Sequence, residues 1–243
     1  MDVSSFVWFC EKKTTLHVAI DDATGRIIGA WFDKKETLNG YCHVSSQILH
    51  SYVIPYKFLT DRRTVFTFKK KNFPSLEKDT FTQFAYTCHQ LGVDLETTSV
   101  PQAKGRVERL NATWQTRLPI ELRLEGVSSI SGINEFLNSH IKEFNVKIAL
   151  PFNHNQSVFA PQPSDERINL MLAVLTEGTV DNGHAIRFIR KYYQMRDAEN
   201  LPVFPRLGTK VIEIQAFDGN LYCNVNDQDI YALVEILHFK QYV

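Results

Sequence analysis

The chain has 243 residues, 44% of them hydrophobic and 22% charged, and its 27 basic side chains balance its 27 acidic ones. This excludes a disordered chain, and it excludes any case for nucleic-acid binding from net charge alone, so such a surface has to come from where the charges sit. Cys10, Cys42, Cys88 and Cys223 are scattered without metal-ligand spacing, no signal peptide opens the chain, and no apolar run approaches the roughly 20 residues that cross a bilayer, so the expectation is a cytoplasmic protein with reduced thiols and no membrane partner.

The opening "MDVSSFVWF" and two β-rich runs, 15–20 and 26–32, divided by an Asp/Gly turn, predict three antiparallel strands. Apolar residues at Leu38, Tyr41, Val44, Ile48 and Tyr52 recur every three or four positions and predict a helix over 37–52, bounded by Pro55. "YKFLTD" reads as a short strand ending at Asp61, and "RRTVFTFKKKNFPSLEKD", with its basic run and Pro74, as an exposed insertion. Asp79 or Thr80 is suited to cap a helix with Phe81, Phe84, Cys88 and Leu91 inward, stopped by Gly92, before the brief strand "VDLETT". Over 103–118, Val107, Leu110, Trp114 and Leu118 form an apolar stripe, which leaves Lys104, Glu108 and Ala112 on a separate outward face. A further helix turns Ile130, Ile133, Leu137, Ile141 and Phe144 inward. Taken together, residues 1–150 predict a mixed α/β sheet with helices on both faces.

Residues 151–177 read as a linker holding a short helix capped by Ser164 or Asp165. From 178 to 243 the runs "HAIRFIRKYYQM", "TKVIEIQAF", "NLYCNV" and "IYALVEI", with Asp218-Gly219 as the clearest hairpin turn, predict a small all-β barrel, because strands this short need closure to cover their edges. Trp8, Trp31 and Trp114 sit among apolar residues and are expected in the core.

Three carboxylates stand out by position: Asp2 in the first strand, Asp61 at the end of the fourth, and Glu108 early on the helix of "SVPQAKGRVERLN". Sites in open α/β sheets form at the carboxyl ends of strands, and converging hard oxygens are what Mg²⁺ requires. Lys104, Arg106 and Arg109 on that helix, with Arg62, Lys69, Lys70 and Lys71 around the insertion, are the cations placed to hold a phosphate backbone. Asp21 and Asp22 in "IDDATG" are rivals for the first position, although turn hydrogen bonding accounts for them. In the barrel, Arg187, Arg190, Lys191, Arg196, Arg206 and Lys210, interleaved with Tyr192 and Tyr193, form a second basic bias.

"SVPQAKGRVERLN" resembles the third-carboxylate motif of retroviral integrases and insertion-sequence transposases, "FLTDRRTVF" their second-Asp strand, and "MDVSSFVWF…LHVAIDDATGRIIGAWF" the first-Asp strand and following hairpin. The resemblance is strongest to the ISNCY-type transposases with an integrase catalytic core. It implies an RNase H-like mixed sheet flanked by helices and followed by a small β-barrel, with a DDE triad carried over onto Asp2, Asp61 and Glu108. It also implies Mg²⁺, with Mn²⁺ able to substitute, double-stranded DNA (transposon ends and target) as partner, a homo-oligomer, and a nucleoid-associated location. The sequence departs from the pattern at Arg62, which follows Asp61 directly, and in the spacing of 108 − 61 = 47 positions, which the basic insertion lengthens. Because Asp2 follows Met1 and no helix-turn-helix precedes it, an N-terminally truncated transposase is expected, with a remnant that only binds DNA or a full-length partner as the alternative.

Overall fold

A computed structural model describes residues 1–9, 12–52, 54–61, 67–68, 80–81, 83–98, 105–148, 163–225 and 229–236; for Asp61, Thr67, Phe68, Thr80, Phe81 and Ile148 the backbone alone is described. The chain divides into two units, Met1–Pro163 and Ser164–Val243.

In the first unit β1 (Asp2–Phe9), β2 (Lys12–Ile20) and β3 (Ile27–Asp33) form an antiparallel sheet in that order. Alternation along the strands gives the sheet two different faces. Trp8, Leu16, Val18, Ala30 and Phe32 pack with the stripe Val107, Leu110, Trp114, Leu118 and Leu122 of one long helix and with Ile133, Leu137 and Phe144 of the next. On the other face His17 lies against α1 (Leu38–Tyr52), so close that a Cβ at Gly40 would run into its imidazole. A third layer builds on Tyr41, whose ring meets Phe84 at 5.6 Å, while Phe84 in turn stacks on Phe58 at 6.3 Å.

The remaining elements of this unit are β4 (Lys57–Asp61), β5 (Thr67–Phe68), β6 (Thr80–Phe81), α2 (Gln83–Leu91), β7 (Asp94–Thr98), α3 (Gly105–Leu124) and α4 (Ile130–Ile148). β4 and β7 run parallel, with Asp61 opposite Thr98. The Met1 nitrogen donates to the Leu59 carbonyl at 2.7 Å, which brings the start of β1 alongside β4.

Several sequence expectations are corrected. The helix placed after Asp79 starts at Gln83 instead, because Thr80 and Phe81 pair with Phe68 and Thr67 in a two-stranded stem. α3 does not end at Leu118 but continues through Pro119 to Leu124; Leu122 is fully buried on the same stripe, and its packing outweighs the hydrogen bond that proline removes. Trp8 and Trp114 are core as expected, whereas Trp31 is half-buried and stacks on His43 at 3.7 Å.

In the sheet order β3 is an edge strand, and three side-chain amides cover that edge as a further strand would. Gln47 of α1 bonds both the N–H and C=O of Ala30, Asn134 both groups of Phe32, and Asn145 both groups of Ile27, at 2.8–3.1 Å. Pairing the outward backbone groups this way keeps the edge from recruiting another chain.

The second unit opens with α5 (Asp165–Met171), capped by Ser164, whose side chain accepts from the Arg167 N–H. It continues with β8 (Val174–Thr179), β9 (Ala185–Phe188), β10 (Lys191–Arg196), β11 (Pro202–Val203), β12 (Lys210–Gln215), β13 (Leu221–Val225) and β14 (Asp229–Glu235). The sheet runs β11-β10-β14-β13-β12-β8, β9 pairs with β10, and a bridge from Val180 to Ile186 joins the two sides into a nearly closed barrel. Val180, Ile186, Tyr193, Met195, Val211, Cys223 and Leu233 fill it. β8 begins within the stretch read as linker, and its pairing with β12 draws it into the sheet. "HAIRFIRKYYQM" is two strands rather than one, turned by Ile189 and Arg190 at φ 45° and 66°. Both residues are left-handed, as a two-residue hairpin demands, although neither is of the Asn or Gly type that signals such a turn. Asp218-Gly219 does turn β12 into β13, with Gly219 at φ 90°.

Candidate functional site

Asp2 is the first residue of β1 and is half-buried. β1 and α3 run side by side, and the seam between them is polar at two successive levels: Asn111 Nδ2 donates to Asp2 Oδ2 at 2.9 Å, and Gln115 Nε2 donates to Ser4 Oγ at 2.9 Å. The spacing is a matter of geometry. Four residues of helix rise ~6 Å and two residues of strand ~6.6 Å, so positions 111 and 115 keep step with positions 2 and 4. Glu108, exposed in the first turn of α3, stands one turn before Asn111 on the same flank. Asp61 closes β4, the strand tied to the start of β1 through Leu59.

The structure therefore brings Asp2 and Glu108 to one flank of α3, with the backbone of Asp61 on the strand tied to the start of β1. Asp21, the rival for the first position, is a turn residue: its carboxylate accepts from the Thr24 N–H at 3.1 Å, the Thr24 hydroxyl and the Ala23 N–H at 3.4 Å. Asp22 faces the Arg106 guanidinium at 3.7 Å. Among the described residues no three His, Cys, Asp or Glu side chains stand close enough to hold a metal ion, and the Asp61 side chain is not among those described.

Of the cations assigned to phosphate, Arg62, Lys69, Lys70, Lys71 and Lys104 lie outside the described residues. Arg106 and Arg109 occupy the flank of α3 turned away from Asp2. There they line a pocket of about 370 Å³ with Ile20, Thr24, Gly25, Leu110, Thr113 and Phe144. Arg106 also reaches the Ala23 carbonyl at 3.5 Å, and Arg109 Nε donates to the Gly105 carbonyl at 3.0 Å.

Titratable groups elsewhere are shaped by burial. His17 is held below its usual 6.5 by desolvation, against the opposing pull of a Trp31 backbone hydrogen bond and the charges of Asp33 and Glu36. His43 and His140 shift the same way for the same first reason. Burial pushes the Cys42 and Cys88 thiols up to about 12, which makes them packing groups rather than nucleophiles.

Sequence reading missed Asn111. The available signal was an asparagine set beside the buried stripe of an amphipathic helix, one turn past Glu108, and it had no meaning until Asp2 was known to face it.

No known family profile matches the sequence. Among curated proteins, the transposase for insertion sequence IS1202 of Streptococcus pneumoniae is 48% identical over 243 residues, all of this chain and 51% of that protein. A candidate transposase, y4bF, of Sinorhizobium fredii (strain NBRC 101917 / NGR234) is 33% identical over 152 residues, 62% of this chain and 33% of that protein. Among solved structures, a chain from the cryo-EM structure of the simian T-cell lymphotropic virus intasome in complex with PP2A regulatory subunit B56 gamma superposes with a TM-score of 0.44 at 16% identity, over 96% of this chain and 77% of that one. At that score the likeness supports no argument about the site. The IS1202 alignment has no such weakness: the chain is similar along its whole length to that transposase, and it spans about half the length of that relative.

Proposed function

We propose that the chain is the catalytic and C-terminal portion of a DDE transposase, which cuts DNA at transposon ends and joins the freed ends to target DNA. Residues 1–150 form an RNase H-like catalytic core, 151–177 a connection, and 178–243 a barrel that binds DNA and helps assemble a homo-oligomer. Asp2, Asp61 and Glu108 are the triad. The observation that carries this reading is the Asn111–Asp2 hydrogen bond, which sets the Asp2 carboxylate on the flank of α3 that bears Glu108.

The residues fit a divalent cation. Carboxylate oxygen is the hard donor that Mg²⁺ and Mn²⁺ prefer, and the three carboxylates belong to a strand start, a strand end and a helix start. When bound, a pair of such ions supplies the charge that an in-line displacement at phosphorus needs at its attacking and leaving oxygens. The protein's own part is positioning. Asp2 is oriented by Asn111, Glu108 projects from a helix anchored by Val107 and Leu110, and Lys104 with the insertion lysines Lys69, Lys70 and Lys71 holds the DNA backbone. Cleavage and strand transfer are both displacements by an oxygen nucleophile, water in the first and a 3′-OH in the second, so one set of carboxylates serves both.

The test is cleavage and strand transfer on a labelled duplex carrying the ends of the neighbouring element, in Mg²⁺ and in Mn²⁺, with Asp2→Asn, Asp61→Asn and Glu108→Gln alongside. Activity lost in each variant supports the triad. Activity that survives Asp61→Asn or Glu108→Gln overturns it, and DNA binding without any reaction in either metal favours the binding-only remnant.

A further inference from the structure

The pocket on the far flank of α3 has no part in the proposed reaction. Positions 106, 109, 110 and 113 follow one another at three- and four-residue steps, so Arg106, Arg109, Leu110 and Thr113 share one stripe of the helix. Glu108 falls outside that stripe, on the flank where Asn111 meets Asp2. The turn between β2 and β3 makes the opposite wall. Gly25 stands there at φ 73°, and a Cβ on it would lie 3.6 Å from Arg106 Nη1, so the guanidinium rests against bare backbone.

The pocket is graded from floor to rim. Leu110 and Phe144 are each 9% exposed and form the floor with Ile20, whereas Arg106 is half-buried and Arg109 exposed at the rim. Arg109 gives its Nε–H to the Gly105 carbonyl, and its two terminal nitrogens have no hydrogen-bond partner among the described residues. Thr113 donates its hydroxyl proton to the Arg109 carbonyl and keeps its lone pairs as acceptors. The acids of the turn do not neutralise this rim. Asp21 is engaged by the N–H groups of Ala23 and Thr24, Asp22 meets Arg106 at 3.7 Å with its side chain 83% exposed, and no described carboxylate lines the pocket.

An apolar floor below two guanidinium groups and a hydroxyl acceptor complements a nucleotide: a flat base leaves water for the floor, and a phosphate takes paired guanidinium donors. The backbone of a duplex would use the charges alone and leave the floor of Ile20, Leu110 and Phe144 without a role. The volume of about 370 Å³ is at the small end for ligand pockets and suits one nucleotide.

We propose that this pocket binds a single nucleotide apart from the carboxylate site, with the base against Ile20, Leu110 and Phe144 and the phosphate between Arg106 and Arg109. The nucleotide is free or is the unpaired end of a DNA strand, and only the second source rests on the reading of the chain as acting on DNA. An unpaired terminal base enters with little unstacking.

The experiment titrates the full chain in EDTA, so that no divalent cation bridges phosphate to the carboxylates. Thymidine 5′-monophosphate, thymidine and inorganic phosphate are added separately to the wild type and to Arg109→Gln, with calorimetry, amide NMR shifts and thermal melting. The monophosphate is expected to bind ~10-fold more tightly than thymidine or phosphate, to shift the Gly25 and Thr113 amides, and to weaken ~10-fold in Arg109→Gln at an unchanged melting temperature. Thymidine or phosphate binding as tightly as the monophosphate overturns the proposal, as does an affinity unmoved by Arg109→Gln, a response confined to Asp2 and Glu108, or no binding. With monophosphate binding in hand, a duplex bearing one unpaired 5′ nucleotide is compared with its blunt counterpart. Tighter binding that Arg109→Gln removes assigns the DNA end as the source, and equal binding assigns the free nucleotide. The triad variants are read by strand transfer in metal, so failure of the triad leaves the EDTA titration standing, and an absent nucleotide response leaves the triad standing.

Discussion

The two units protect their sheets by different means. The first leaves β3 as an edge strand and covers it with the amides of Gln47, Asn134 and Asn145; the second bends its sheet until the Val180–Ile186 bridge nearly closes it. Closure needs no dedicated side chains, and among the described residues the barrel core is mainly apolar, with Glu213 a buried acid lying across Gly178. An open sheet needs its edges covered, but it leaves strand ends accessible, and two residues of the proposed site, Asp2 and Asp61, belong to strand ends. Openness thus comes with buried polar groups that must be satisfied, and it permits a site at the strand ends.

The largest effect that separates the units is chemical. Glu108→Gln is expected to lower strand transfer about a thousandfold, a loss of ~4 kcal/mol in transition-state stabilisation, while Glu213→Gln in the barrel leaves the rate unchanged. A comparable loss from Glu213→Gln would break the division of labour. Next comes the edge cover. Asn134→Leu strands the Phe32 N–H and C=O in a buried seam and should destabilise the first unit by about 3 kcal/mol in urea unfolding, with the barrel transition unmoved. Gly40→Ala is a smaller perturbation of the same unit, about 2 kcal/mol, because the added methyl meets His17 in a packed layer; a stability equal to wild type would show that the imidazole yields.

The finest distinction is in pH dependence, where the units are expected to slope in opposite directions. His17 has its folded pKa depressed, chiefly by burial, so the unfolded chain takes up the proton first. The stability His17 allows is complete above 6.5 and falls as pH drops below it. Glu213 has its folded pKa raised by burial. Its ionisation therefore opposes folding, and barrel stability is fullest below 4.5 and declines as pH rises through the raised value. Hydrogen exchange of amides in each unit between pH 4 and pH 7 reads both slopes. Glu213→Gln should flatten the barrel's slope and raise its stability at pH 7 by a fraction of what Asn134→Leu removes.

Much of the first unit was legible because its signals are periodic and long. The stripes of α1, α3 and α4 belong to long elements whose buried faces repeat, and the first three strands were marked by β-rich runs and a turn. What was misread was short or overridden. Thr80 and Phe81 carry too few residues to declare a strand and pair only because β5 lies opposite, while Pro119 signals a helix end that Leu122 cancels by burial. The turn at Ile189-Arg190 was invisible because its geometry is imposed by the register of β9 and β10 rather than by its own residues.

The sequence by itself determined the order of the long helices and main strands and three carboxylates worth watching, because hydrophobic spacing and turn chemistry are local properties. Only the tertiary structure decided that Asp21 serves a turn, that Arg106 and Arg109 face away from Asp2, and that Asn111 reaches across 109 positions to hold that carboxylate. Those outcomes depend on which helix flank meets which strand, and the packing of α3 against β1 and α4 fixes the flank.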